Sequence, residues 1–99
     1  MIDTAIIERL KKIKGLTEVY QVISTFHLYR DAKNGDVQMV TVEILDAGPE
    51  VDPNRRYHCW ATADNGATAT GNPDSTPENA VVHTHWEHLD YPVNNTGAD

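Results

Sequence analysis

Residues 19–45 read Val-Tyr-Gln-Val-Ile-Ser-Thr-Phe-His-Leu-Tyr-Arg-Asp-Ala-Lys-Asn-Gly-Asp-Val-Gln-Met-Val-Thr-Val-Glu-Ile-Leu. The first eleven of these are rich in β-branched and aromatic residues, the composition of a strand. Asn34-Gly35 then supplies the residues of a tight hairpin turn, because both tolerate positive φ. Residues 37–45 form the return strand, with Val40, Val42 and Ile44 alternating toward a core. A strict two-residue turn would set Phe26 and Leu28 opposite Glu43 and Thr41 and mix the two faces. A longer loop or a bulge is therefore expected, since one step of register moves every side chain to the other face.

Upstream of this hairpin, Asp3 or Thr4 can cap a helix by accepting a free backbone N–H. Ile2, Ile6, Leu10 and Ile13 recur at helical spacing and are expected to face a core. Glu8 and Lys12 support the helix on its outer side, and Lys11, Lys12 and Lys14 suit its negative end. Gly15 closes it. Downstream, residues 47–54 form a loop with two prolines and a glycine. A third strand is expected over residues 56–64, a second tight turn at Asn65-Gly66, and a short strand over residues 67–70. Ser75-Thr76-Pro77-Glu78 carries a Ser-x-x-Glu capping pattern and an early proline, so a second helix is expected from there to about residue 90. Val81, Val82, His85, Trp86 and Leu89 would share its inner face. Tyr91-Pro92 ends it.

These elements predict an α+β fold in the order α-β-β-β-β-α: an antiparallel four-stranded sheet with two helices packed on one face. The chain of 99 residues reads as one domain over residues 1–92 with a mobile C-terminal tail over 93–99. It has no membrane-length apolar run and no signal-peptide pattern at its start, and its single cysteine fits a reducing, cytoplasmic setting.

With the elements in this order, Arg55-Arg56-Tyr57-His58-Cys59-Trp60-Ala61-Thr62-Ala63-Asp64-Asn65-Gly66, residues 67–71 and residues 75–89 together resemble the second half of a double-stranded-RNA-binding domain. The helix over residues 3–15 also fits that family's αβββα plan. The resemblance implies a similar fold over about half the chain. In that family a lysine-rich start to the last helix grips phosphates. Here the aligned segment is Asp74-Ser75-Thr76-Pro77-Glu78-Asn79, so the RNA-contacting cations are absent and the family's ligand is not expected to carry over.

Charge sharpens this point. The net charge is −7, and residues 57–99 hold Asp64, Asp74, Glu78, Glu87, Asp90 and Asp99 with no Lys or Arg. Such a half repels phosphate backbones and favours basic partners. All eight cations lie in residues 1–56. Among them Arg9, Lys11, Lys12 and Lys14, with Arg55 and Arg56, form the one group that could meet nucleic acid.

Five histidines invite a metal reading, for which His85, His88 and His58 are the candidates. His85 and His88 are three apart on a helix, but the segment matches no zinc motif and there is one thiol. Cys59 and His58 are neighbours on a strand and should point to opposite faces, which argues against a histidine-activated thiolate. No Gly-rich phosphate loop, Gly-x-Ser-x-Gly elbow or paired catalytic carboxylates is present, and nothing calls for a cofactor. Trp60 has two readings. If Tyr57, Cys59, Ala61 and Ala63 point inward, then His58, Trp60 and Thr62 stand on the open face as a hot spot for a partner. In the opposite register Trp60 is core.

The sequence thus points to a small non-enzymatic acidic module that binds a protein, a basic one, and neither nucleic acid nor a membrane. A sharper form is an inhibitor of phage or mobile-element type that mimics nucleic-acid charge. The partner-binding candidates are Trp60, His58, Asp74, Glu78, Glu87 and Asp90. The alternatives are nucleic-acid binding through the first helix and a histidine metal site.

Overall fold

The computed structural model describes residues 2–92; the tail expected over residues 93–99 lies outside them. Helix α1 (Thr4–Lys11) precedes strands β1 (Gln21–Asp31), β2 (Val37–Asp46), β3 (Tyr57–Ala63) and β4 (Thr68–Thr70). Helix α2 (Pro77–Val82) and a 3-10 helix (Trp86–Asp90) complete the fold, with a 3-10 turn (Pro53–Arg55) between β2 and β3. The strands form one antiparallel sheet in the order β1-β2-β3-β4, giving the α+β order α-β-β-β-β-α. No helix among the described residues is long and apolar enough to cross a membrane.

The first hairpin resolves the register conflict with a longer loop. Ala32 N–H donates to Asp36 O at 2.8 Å, and Phe26 stands opposite Val42 and Leu28 opposite Val40. Gly35 takes φ +93°, where any Cβ would be strained, and its N–H donates to Ala32 O at 2.9 Å to close the loop. The β3–β4 turn repeats the device: Ala63 N–H donates to Ala67 O at 2.8 Å, and Gly66 sits at φ +89°. In both, the asparagine Oδ1 accepts from the backbone two residues on at 2.9 Å.

The core lies on one face of the sheet. Val40, Val42 and Ile44 of β2, Cys59, Ala61 and Ala63 of β3, and Ala67 and Ala69 around β4 are buried there with Ala80 and Leu89 from the covering segment. Burying Leu89 fully contributes roughly 2 kcal/mol and centres the cover on β3 and β4.

That cover is not one continuous helix. Thr76, not Ser75, caps α2, accepting from Asn79 N–H at 3.0 Å, and α2 stops at Val82. The chain at residues 83–85 descends onto β4: a Cβ on Gly71 would overlap the His83 carbonyl oxygen, and His85 N–H donates to Thr70 O at 3.2 Å. Thr84 goes inside instead of His85, its hydroxyl donating to Ala80 O at 2.7 Å. His85 and Val82, expected on the inner face, are exposed: the turn against Gly71 takes His85 out of the helical stripe, and α2 itself buries Ala80 in place of Val82.

Helix α1 also departs from expectation. Asp3 caps it, accepting from Ile6 N–H at 3.1 Å, but it ends at Lys11 and gives way to shorter-range bonds before Gly15. Ile7 is its buried residue, seated against Gly48 on the β2–β3 connection, while Ile6 and Ile13 remain exposed. Contact at that one point selects Ile7 over the Ile2, Ile6, Leu10, Ile13 stripe.

Two polar clusters fix the sheet's ends. Arg30 makes a bidentate pair with Asp90 at 2.8 and 3.2 Å, and Gln38 donates to Leu89 O at 2.7 Å. At the far end Arg56 clamps Asp46 at 2.7 and 3.0 Å, and Gly48 N–H donates to the same carboxylate. Burial pushes the Asp46 carboxyl up, but Arg56 and the Gly48 N–H together hold it below the usual range.

Gly71→Ala should cost about 2–3 kcal/mol, the upper part of the range for forcing atoms into a filled site. Urea unfolding monitored by tryptophan fluorescence checks this, and a midpoint equal to wild type would mean the 83–85 turn is not held against Gly71.

Candidate functional site

The face of the sheet opposite the core carries no covering element among the described residues. Register places Thr25, His27 and Tyr29 of β1 beside Met39, Thr41 and Glu43 of β2, and these beside Trp60 and Thr62 of β3. Trp60 is 41% exposed, Met39 48% and Tyr29 75%. Trp60 thus faces the open side of the sheet, and Cys59 is its buried neighbour.

Trp60 lies directly across the ladder from Glu43 and from Thr70. Beside it, Met39, Thr41, Glu43, Thr62 and Asp64 line a shallow hollow of about 310 Å³. No strand position on this face carries a Lys or Arg. The face therefore offers an aromatic plane, a flexible thioether and the carboxylates Glu43 and Asp64. That combination suits a cation with an apolar stem.

His58 is on the same face, nearer the end of the sheet. Its ring meets Tyr20 edge-on at 5.0 Å between centroids, above a cleft of about 490 Å³ that also takes in Glu18, Asp52 and Arg55. Burial lowers the His58 pKa, partly opposed by Glu18. Burial therefore favours the neutral imidazole on this face.

The other candidates are dispersed. Asp74 pairs through its backbone with Tyr57 and through its side chain with His83 Nδ1 at 2.7 Å. Glu78 is exposed at the start of α2, on the rim of a hollow lined by Ile23, Phe26, Ile44 and Val81. Glu87 is exposed, 3.9 Å from His85 Nδ1. Asp90 is committed to Arg30 and to the Lys33 N–H. Asp64 sits at the β3–β4 turn, at the opposite end of β3 from Asp74. These acids do not make one surface, and Asp74, Asp90 and Asp64 already hold intramolecular partners, Asp64 accepting from the Met39 N–H at 3.3 Å.

The histidine group separates in the same way. His85 and His88 stack at 5.3 Å between ring centroids, both exposed, while His58 is on the far side of the sheet. Among the described residues no three His, Cys, Asp or Glu side chains converge as a metal set. Burial raises the Cys59 thiol pKa, so the group stays protonated inside the core. Of the basic group, Arg56 is held by Asp46 and lies 5.1 Å from the Tyr57 ring, leaving Arg9, Lys12, Lys14 and Arg55 exposed.

Sequence reasoning missed the share of the open face that comes from β1 and β2. The signal was present in residues 26–29, where Phe26 and Leu28 alternate with His27 and Tyr29, so that both faces of β1 carry large side chains. No family model, curated protein or solved structure matches this chain.

Arg30 first, and then the Lys33 N–H, hold the Asp90 carboxyl at about 2, below the ~3.9 of a free aspartate. A carboxyl depressed by folding stabilises above its unfolded pKa, and that stability is lost as pH falls through the folded value. Asp90→Asn should therefore lower the urea midpoint at pH 7. Its difference from wild type should shrink as pH falls from about 4 to about 2. A difference that stays constant across that window would mean the Arg30–Asp90 pair contributes nothing to stability.

Proposed function

We propose that this chain is a non-enzymatic protein-binding module whose open sheet face docks a basic segment of a partner protein. The observation that carries the reading is Trp60, uncovered in mid-sheet and in register with Glu43 on a face whose strand positions carry no Lys or Arg. A guanidinium or ammonium can lie over the indole while Glu43 and Asp64 balance its charge. Tryptophans in such positions commonly carry 2 kcal/mol or more of a binding energy, about thirtyfold in affinity.

Charge mimicry of nucleic acid has less support, because it needs the acids of the C-terminal half on one surface, and Asp74 and Asp90 are already engaged. From the resemblance to a double-stranded-RNA-binding domain the proposal takes the order of elements and not the ligand. The first turn of α2 presents Glu78 where that family presents cations.

Three immobilised baits test the proposal: wild type, Trp60→Ala and Val82→Ser, the last altering an exposed residue of α2. Proteins retained from host lysate at physiological salt are quantified by mass spectrometry. A basic protein held by wild type and Val82→Ser, reduced at least tenfold by Trp60→Ala and released by high salt, is the expected result. Equal retention by all three baits, or retention of nothing, overturns it.

A further inference from the structure

We infer that β1 is the interface for a second copy of this chain, the two strands pairing edge to edge in antiparallel about a two-fold axis beside His27. The two edges of the sheet are built differently. At one end β4 has three residues, and its outer side is already engaged by the His85 N–H on Thr70 O. At the other end β1 runs for eleven residues with no strand beyond it among the described residues. Over residues 24–30 its backbone donors and acceptors on that side meet no other strand among the described residues. Edges of that length are normally blunted by proline, lysine, inward charge or a bulge, and the one irregularity of β1 lies before Ser24. Gln21–Asp31 contains no Pro and no Lys, and its Arg30 is taken by Asp90.

Side-chain exposure points the same way. A strand with one covered face alternates between buried and exposed, yet residues 25–29 are all exposed. Phe26 and Leu28 belong to the inner face by register, and the α2 segment stops short of covering them. An apolar strand open on both faces and along its edge matches another strand better than it matches a helix or a loop.

The occupant follows from symmetry. In an antiparallel pair, residues directly opposite lie on the same side of the sheet, so a two-fold pairing must set each residue opposite one an even number of positions away. The ladder of β1 is irregular between Val22 and Ser24, which leaves residues 24–30 as its regular part. Centring the axis at His27 uses all of that segment. Centring at Phe26 runs into the irregularity, and centring at Leu28 runs into the turn. With His27 opposite its own copy, Phe26 meets Leu28 of the second copy on the inner side. Thr25 meets Tyr29 on the outer side, and Arg30 meets Ser24. Both large apolar residues acquire apolar cross-strand neighbours, and no like charges oppose. The inference is independent of the Trp60 reading, because Trp60 is two strands away from this edge.

Sedimentation equilibrium of the full chain, from micromolar to millimolar concentration, tests it. The expected mass rises to twice the 11.0 kDa of one chain, and Leu28→Lys holds it at the single-chain value throughout. Under mild oxidation His27→Cys should give a disulfide-linked dimer in high yield, while Tyr29→Cys, which faces Thr25 and not itself, should give at least tenfold less. The native Cys59 is buried and does not compete. A wild-type mass of one chain at every concentration overturns the inference, and so does equal cross-linking of the two cysteine variants. A dimer that survives Leu28→Lys overturns it too, by placing the contact elsewhere.

Discussion

The small side chains on the inner face of β3 and β4 set the rest of this structure. Cys59, Ala61, Ala63, Ala67 and Ala69 leave a shallow floor, and Gly71 removes the last obstacle at its edge. The covering segment can therefore lie close, with Ala80 and Leu89 as its contacts. Close approach gives dense packing but costs helical continuity: His83 and Thr84 N–H still bond to the preceding turn, but the His85 N–H goes to Thr70 O of β4 instead. It also decides how far the cover reaches. A segment seated on the alanine floor is displaced from β1, which is why Phe26 and Leu28 stay open although their register assigns them to the core face.

A narrow hydrophobic cover asks more of polar contacts at the sheet's ends. The Arg30–Asp90 pair and the Gln38 amide tie the end of the Trp86–Asp90 3-10 helix to β1 and β2. The Asp46–Arg56 pair does the same for the β2–β3 connection, beside the glycine on which α1 rests. Each carboxylate receives a bidentate guanidinium and one backbone N–H, which compensates the water it loses. Among the described residues no buried side-chain polar atom lacks a partner.

What was legible in the sequence follows the range of the forces involved. Turn chemistry is local, so Asn34-Gly35 and Asn65-Gly66 placed both hairpins, and the mismatch of Phe26 with Glu43 was enough to anticipate a longer loop. The order of elements followed from these. The inward position of Cys59 was inferable from strand alternation, but which alternate set faced the core depended on the alanine floor as a whole. The break in the second helix was not legible. Residues 77–90 have good helical spacing, and only the proximity of Gly71, distant in sequence, interrupts it. The first helix failed for a related reason: its apolar stripe was read correctly as a pattern, but tertiary contact at Gly48 selected Ile7. Site residues fared similarly. Trp60 and His58 were singled out by type and do share the open face, whereas the acids were grouped by sequence and are separated in space.

The asymmetry of the sheet's edges limits what can be built from it. A sheet with two open edges can add neighbours without end, and open-ended strand addition is the geometry of fibres. Here β4 is three residues long and its outer side meets the turn at His85, so growth in that direction is closed off by the chain itself. Any assembly formed through strands has one growing end per molecule and terminates once two such ends have met. The Gly71 turn that breaks the second helix thus also works as a cap against polymerisation, and loosening it would put solubility at risk along with stability.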